Sequence, residues 1–382
     1  MDIKRQFPGV HWVWGGGISF VYEVHPLIVV KVPKSGQEER EKFRKELKIY
    51  EILSKHPPCP SLVECFHYTT DGIFLEYMRG ATPIDISLAY RRQFNLTRDH
   101  KTRVVTKVGE LEPLALRKLW MNDLAQGVAY LASLNLAHGD LRPENILLDR
   151  NRLKLSDFDC TAEFGTDFET CPCPYGRLLN SNEADQGIPG TAGFLGPRTE
   201  QFALGSLYYL INYGFEVYDD QCLADDPYEH GPKVMDLLQD MKFPKLDGDP
   251  LIDDIIDRCW HNQYRTLADM ATHIETLLKE SPSDVLIQET ASTPGWRKAI
   301  DRILRWLWYS PGAQWRSNGE IINGDDYYNV DQNHSGEHFF SKQKFCQDLE
   351  KRGLLRLLTL SKPTELGFSM EHRHLSPTTP AN

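Results

Sequence analysis

The chain has 382 residues, 41% of them hydrophobic and 25% charged, with a formal net charge of -11. That size suits two modest lobes plus a tail, and that charge excludes a general affinity for nucleic-acid backbones. Eight scattered cysteines form no paired framework, the N-terminus "MDIKRQFPGVHWVWGGG" has no signal-peptide core, and no apolar run reaches membrane-span length, so a reduced cytoplasmic or nuclear setting without an integral membrane segment is expected.

The stretch "GGGISFVYEVHPLIVVKVPK" reads as a glycine-rich turn between strands. A helix is predicted from Glu38 to Lys55, with Phe43, Leu47, Tyr50 and Leu53 on one stripe. "CFHYTTDGIFLEYM" reads as a hairpin turning at Asp71-Gly72. Residues 91 to 113 are polar and basic and are expected to form a surface insertion. Leu116, Leu119, Trp120, Leu124, Val128, Leu131 and Leu134 predict a long amphipathic helix, and "FALGSLYYLI" a helix buried on all sides. Residues 251 to 280 are helical by period.

The expected fold is therefore α+β and two-lobed: a small β-rich lobe over 1–80, a larger helical lobe over 81–282 and an extension over 283–382. In the extension, "GWRKAIDRILRWLWYS" (295–310) predicts an amphipathic helix packed on its own lobe. Helical period returns from Phe339 to Leu360, and "SMEHRHLSPTTPAN" is expected to be disordered. The pair Cys171 and Cys173 in "TCPCPYG" lacks the second pair a zinc site needs, so two plain thiols in a proline-rich loop is the preferred reading.

Two charges sit where apolar residues belong. Lys31 lies inside "PLIVVKVP", and Glu46 shares the apolar stripe of the first helix. Opposite charges in neighbouring elements suggest a pair. Further on, "LAHGDLRPENILLDRNRLKLSDFDC" supplies what phosphoryl transfer requires. Asp140 is a candidate base, Asn145 and Asp157 are hard oxygen ligands for magnesium, and Arg142 can reach a transferring phosphoryl group.

These residues resemble the eukaryotic protein kinase family. "HGDLRPENILLD" looks like H-R-D-L-x-x-x-N, "SDFDC" like D-F-G, and "VVKV" like the V-A-I-K strand. "LEYMRG" is similar to the hinge, "EQFALGSLYYLI" to the central helix with Glu200 for its Asp, and "CWHNQYRT" to the late Trp segment. The likeness covers about residues 10 to 280 and is closest in pattern to divergent kinase-like proteins common in fungal genomes.

The resemblance implies ATP and magnesium as cofactors. It gives Gly16 and Val21 a place over the nucleotide, Lys31 the α and β phosphates with Glu46 as partner, and Leu75 the gatekeeper position. Tyr77 and Met78 would give backbone bonds to adenine, Asp140 would be the base, Arg142 would contact the γ-phosphate, and Asn145 and Asp157 would ligate magnesium. The chain departs from the pattern in four places. Trp14 and Ser19 replace the outer loop glycines, Gly139 replaces the usual arginine, and Asp159 replaces the glycine of D-F-G. Gly196-Pro197-Arg198 stands where A-P-E is expected, with a cation for the acid that normally pairs with a later arginine. "DLRPEN" resembles the Ser/Thr type, so the expected function is a Ser/Thr protein kinase independent of loop phosphorylation, acting on a protein substrate. The alternatives are a pseudokinase scaffold and a small-molecule phosphotransferase of the aminoglycoside or choline kinase type.

Overall fold

The computed structural model describes residues 3–78, 87–149, 151–168, 171–279, 316–317, 320–321 and 335–369. A short helix α1 (Ile3–Gln6) leads into strands β1 (His11–Gly15), β2 (Ser19–His25) and β3 (Ile28–Pro33). Helix α2 (Gln37–Leu53) follows, then β4 (Cys65–Thr69) and β5 (Gly72–Glu76). The strands form one antiparallel sheet in the order β1-β2-β3-β5-β4. The turn between β2 and β3 is so short that Val21 lies directly opposite Lys31. Phe43, Glu46, Ile49 and Tyr50 of α2 are buried, as the apolar stripe requires.

The second lobe opens with α3 (Leu88–Gln93) and a hairpin of β6 (Leu96–Arg98) and β7 (Val105–Val108). Residues 91 to 113 are thus more than a surface insertion. Arg92 is buried, and it and Arg91 both reach Glu112 (2.6 and 2.5 Å) while lying over the Trp120 ring at 5.8 and 5.4 Å. Arg98 pairs with Asp219 at 2.5 Å. The basic character that suggested a solvated surface is largely spent on anchoring the segment. Burial disfavours the charged form of Glu112, but Arg92 and Arg91 outweigh it and bring the carboxyl down to about 2.

The long predicted helix is α4 (Leu114–Ser133). After it come β8 (Leu136–Ala137), the hairpin of β9 (Ile146–Asp149) and β10 (Arg152–Leu155), and β11 (Ala162–Glu163). Helix α5 (Pro197–Tyr213) runs through the centre of the lobe, almost wholly buried from Arg198 to Ile211. Gly196-Pro197-Arg198 is its first turn, with proline preset for an N1 position, and stands only two residues ahead of Glu200. The triplet therefore opens this helix and does not close the segment before it. Helix α6 (His230–Gln239) was not anticipated, and the predicted 251–280 helix is two, α7 (Pro250–Trp260) and α8 (Leu267–Lys279). The two are joined by a turn at 261–266.

The described part of the extension folds back on the first lobe. Helices α9 (Ser335–Lys351) and α10 (Leu354–Leu358) bury Cys346, Leu349, Leu354, Leu355 and Leu358 against the outer sheet face, with Phe368. Tyr22, Val24, Val30, Val32, Phe66 and Phe74 supply that face, and α1 joins through Ile3. Glu350 meets His67 at 2.6 Å, and a Cβ on Gly72 would lie 2.6 Å from Leu355 Cδ2, so glycine allows the close approach. All six residues of β3 are buried because both of its faces are covered. The predicted 295–310 helix and the expected disorder after Ser369 lie outside the described residues. Among the described residues no helix is long and apolar enough to cross a membrane.

Two outcomes follow from this packing. Ending the chain after Ser283 uncovers the outer face of the sheet, and calorimetry should show a melting temperature lower by about 10 °C or more, or an aggregated product. A soluble remainder of equal stability would contradict it. The Glu112 pair makes stability pH-dependent. The folded carboxyl titrates near 2 and the free one near 4.5, so its contribution is full above 4.5 and is lost as pH falls toward 2. Urea unfolding should place Glu112→Gln about 3 kcal/mol below the parent at pH 7, with the gap closing as pH falls through that window.

Candidate active site

Lys31 is carried on the inner face of β3, between Val30 and Val32, which point the other way into the second core. Its Nζ is 2.7 Å from Glu46 Oε2 and 2.6 Å from Asp157 Oδ1. Burial alone would discharge the ammonium, but the two carboxylates outweigh it and hold its pKa above the ordinary lysine range. Burial pushes Glu46 up to about 7 against the pull of Lys31. For Asp157 the balance reverses: burial opposes ionisation, and Lys31 lowers the carboxyl below its usual range.

Asp157 has φ 64° and ψ 76°, a left-handed conformation uncommon for a residue with a side chain. The next residue holds it there. Phe158 is fully buried, with its ring 5.4 Å from those of both Tyr50 on α2 and His138. One aromatic contact thus ties the helix that carries Glu46 to the loop that carries Asp140.

That loop is pinned from below by α5. Glu200 accepts the backbone N–H of His138 at 2.8 Å and of Gly139 at 3.3 Å. His138 is buried, and burial lowers its pKa and keeps the ring neutral. Its Nε2 lies 3.0 Å from the Ser156 carbonyl, and its Nδ1 accepts the Asp140 N–H at 3.3 Å, a consistent tautomer. Thr161 Oγ1 donates to the His138 carbonyl. Gly139 has φ +76°, and a Cβ there would lie 2.6 Å from the Cys160 carbonyl oxygen. Glycine is therefore required by this loop, and the missing arginine has no room without moving backbone.

Asp140 is held at both oxygens. Oδ2 accepts from Asn145 Nδ2 at 2.7 Å and lies 3.0 Å from Arg142 Nε. Oδ1 receives the thiol of buried Cys171 at 3.5 Å, which gives that cysteine a use in place of the zinc idea. Arg142 thus rests on Asp140, where the resemblance implied a γ-phosphate contact. Among the described residues no hydrogen bond engages Asn145 Oδ1 or Asp157 Oδ2. Asp159 is half-buried beside this group, and burial together with the charge of Asp157 raises its pKa.

Above the cleft, Gly16 sits in the β1–β2 turn with its N–H on the Ser19 carbonyl at 3.0 Å, and Val21 packs toward the main core. Leu75 is buried on β5 opposite Val29, one residue before the pairing ends at Glu76. The Tyr77 N–H donates to the Leu27 carbonyl at 3.0 Å, so that group is not available to adenine. Met78 is buried at the same edge, and its N–H makes no backbone hydrogen bond among the described residues. The structure thus gathers Lys31, Glu46, Asp157, Asn145, Asp140 and Arg142 into one linked cluster, with Gly16, Val21, Leu75, Tyr77 and Met78 on the sheet and the edge that follows it. The roles of Glu200 and Cys171 were missed. The first had a signal, a lone acid opening an apolar helix; the second had none.

The family model for the protein kinase domain matches residues 20–242, more than half of the chain. The tyrosine-protein kinase receptor torso of Bombyx mori is 23% identical over 331 residues, 73% of this chain and 38% of that protein. CBL-interacting protein kinase 10 of Oryza sativa subsp. japonica is 27% identical over 48% of this chain and 36% of its own length. The MAP kinase-interacting serine/threonine-protein kinase mnk-1 of Caenorhabditis elegans is 24% identical over 57% of this chain and 31% of its own. The matched regions therefore span well under half of these relatives. A two-lobed fold, Lys31 paired with Asp157 across the lobes and a family match over both place this chain in the protein kinase family.

Proposed function

We propose that this chain is an active Ser/Thr-type protein kinase that moves the γ-phosphoryl group of ATP to a protein hydroxyl. The observation that carries this reading is that both halves of the machinery stand assembled together. Lys31 is charged and shared by Glu46 and Asp157, while Asp140 is held on Oδ2 by Asn145 and Arg142. Ser/Thr preference rests on "DLRPEN".

The donor set fits the cofactors. Asn145 Oδ1 and Asp157 Oδ2 are hard oxygens without a protein hydrogen bond among the described residues, and they would hold magnesium. Magnesium-ATP, when bound, supplies the phosphoryl group and a cation that screens its oxygens. Lys31 binds phosphate oxygens from the cleft wall. Asp140 takes the proton of the acceptor hydroxyl at Oδ1, the oxygen that carries only the weak thiol contact. Arg142 keeps the carboxylate turned toward the acceptor.

Independence from loop phosphorylation is supported by how the segment after Asp157 is held. Gly165 N–H donates to the Leu195 carbonyl, Leu195 N–H to the Thr166 carbonyl and Phe168 N–H to the Gly193 carbonyl, and Arg177 forms a two-pronged pair with Glu183. These contacts hold the described parts of the segment without a phosphate, and glycine at 139 leaves no cation there to read one. A pseudokinase is the second reading, favoured by Asp159 beside Asp157.

The direct test is transfer of labelled phosphate from ATP with magnesium to a generic protein substrate. Asp140→Asn should lower the rate about 10²–10⁴-fold. Absence of transfer by the parent, with ATP still bound, would favour the pseudokinase; consumption of ATP only with added small alcohols would favour a small-molecule enzyme. Phosphatase treatment of the pure protein should leave the transfer rate unchanged, and abolished activity would refute independence from loop phosphorylation.

A further inference from the structure

Arg198 and Arg265 line one cavity of about 390 Å³, with Gln186, Phe194, Asn262 and Tyr264 around them, and no Asp or Glu lines it. This local excess of positive charge runs against the chain's net charge of -11. Arg198 is only 7% exposed. One terminal nitrogen donates to the Ala192 carbonyl at 2.5 Å, and the acid that reaches it electrostatically, Glu183, is committed to Arg177. Burial and the charge of Arg177 lower the Arg198 guanidinium to about 10, which still leaves it charged at neutral pH. Arg265 lies on the turn between α7 and α8, 91% exposed, with Asp269 at 3.9 Å as its acid neighbour. The first turn of α5 borders the same space, and a helix of 17 residues adds partial positive charge there.

A buried guanidinium without a carboxylate is an unfavourable arrangement that an incoming anion would relieve. Here two arginines share the cavity and no acid lines it. A tetrahedral dianion offers three oxygens and up to twice the charge of a carboxylate, and can bridge two guanidinium forks. The space exceeds that of a bare oxyanion, and Phe194 and Tyr264 wall it. We propose that this cavity is a phosphomonoester site in which a phosphorylated side chain bridges Arg198 and Arg265.

The test is calorimetric titration of the full chain, free of nucleotide, with N-acetyl-O-phosphoserine methylamide, inorganic phosphate and the unphosphorylated serine amide. Catalysis plays no part in this readout. Saturable binding of the phosphoserine amide, weakened about tenfold or more in Arg265→Gln, is the expected result. Because Arg265 is exposed, that variant keeps its fold, and its effect separates this cavity from the cleft at Lys31. Arg198→Lys, which keeps charge but loses the fork, should weaken binding as well. Inorganic phosphate binding equally tightly, with the same loss in Arg265→Gln, would support the oxyanion site with free phosphate as its source. Failure of the phosphoserine amide to bind, equal binding of the neutral amide, or affinity unchanged in both variants would overturn the proposal.

Discussion

The Lys31 ammonium is the contact on which the rest of the molecule depends. It is buried in a β-branched strand, which is tolerable only because Glu46 and Asp157 both lie within 2.7 Å. Removing the cation would leave two buried carboxylates facing each other uncompensated, and loss of one member of such a buried pair costs about 3–5 kcal/mol. The three charges belong to the sheet, to α2 and to the loop after β10, so satisfying one buried cation fixes three elements against each other. Phe158 repeats the constraint in apolar form, by packing between Tyr50 and His138.

Each layer outward holds the one inside it. Glu200 at the head of α5 fixes the backbone of His138 and Gly139, and Asn145 and Arg142 then fix the carboxylate of Asp140. On the far side of the sheet, α9 and α10 press on Val30 and Val32, the neighbours of Lys31. The extension is therefore a third layer of the first lobe, and it backs the strand that presents the lysine.

Much of this was legible in residues. The periodicity of α2, α4 and α5 located the helices, and the two misplaced charges announced their pairing, because burial makes an unpaired charge costly anywhere. What could not be read depended on partners distant in sequence. The apolar run around Lys31 marked a charge out of place, but nothing local showed that residues near 350 cover the other face of its strand. The basic stretch at 91–113 looked solvated because Asp219, the partner of Arg98, is distant in sequence, and because nothing local showed that Glu112 folds back onto Arg91 and Arg92. Gly139 looked like a lost arginine; the close Cys160 carbonyl makes it a steric requirement. Gly196-Pro197-Arg198 was placed by analogy, and its proline serves as a helix start instead. The Tyr77 N–H is taken by Leu27, a bond that depends on how the β2–β3 turn sits against the sheet edge.

The central claim is that the Lys31 cluster is a preassembled phosphate site. Calorimetric titration of the full chain with ATP and magnesium chloride, beside its Lys31→Met variant, tests it most directly. The account predicts saturable binding by the parent and affinity at least about tenfold weaker in a variant that remains folded. A parent that binds no nucleotide, or a variant that binds it equally well, would contradict it.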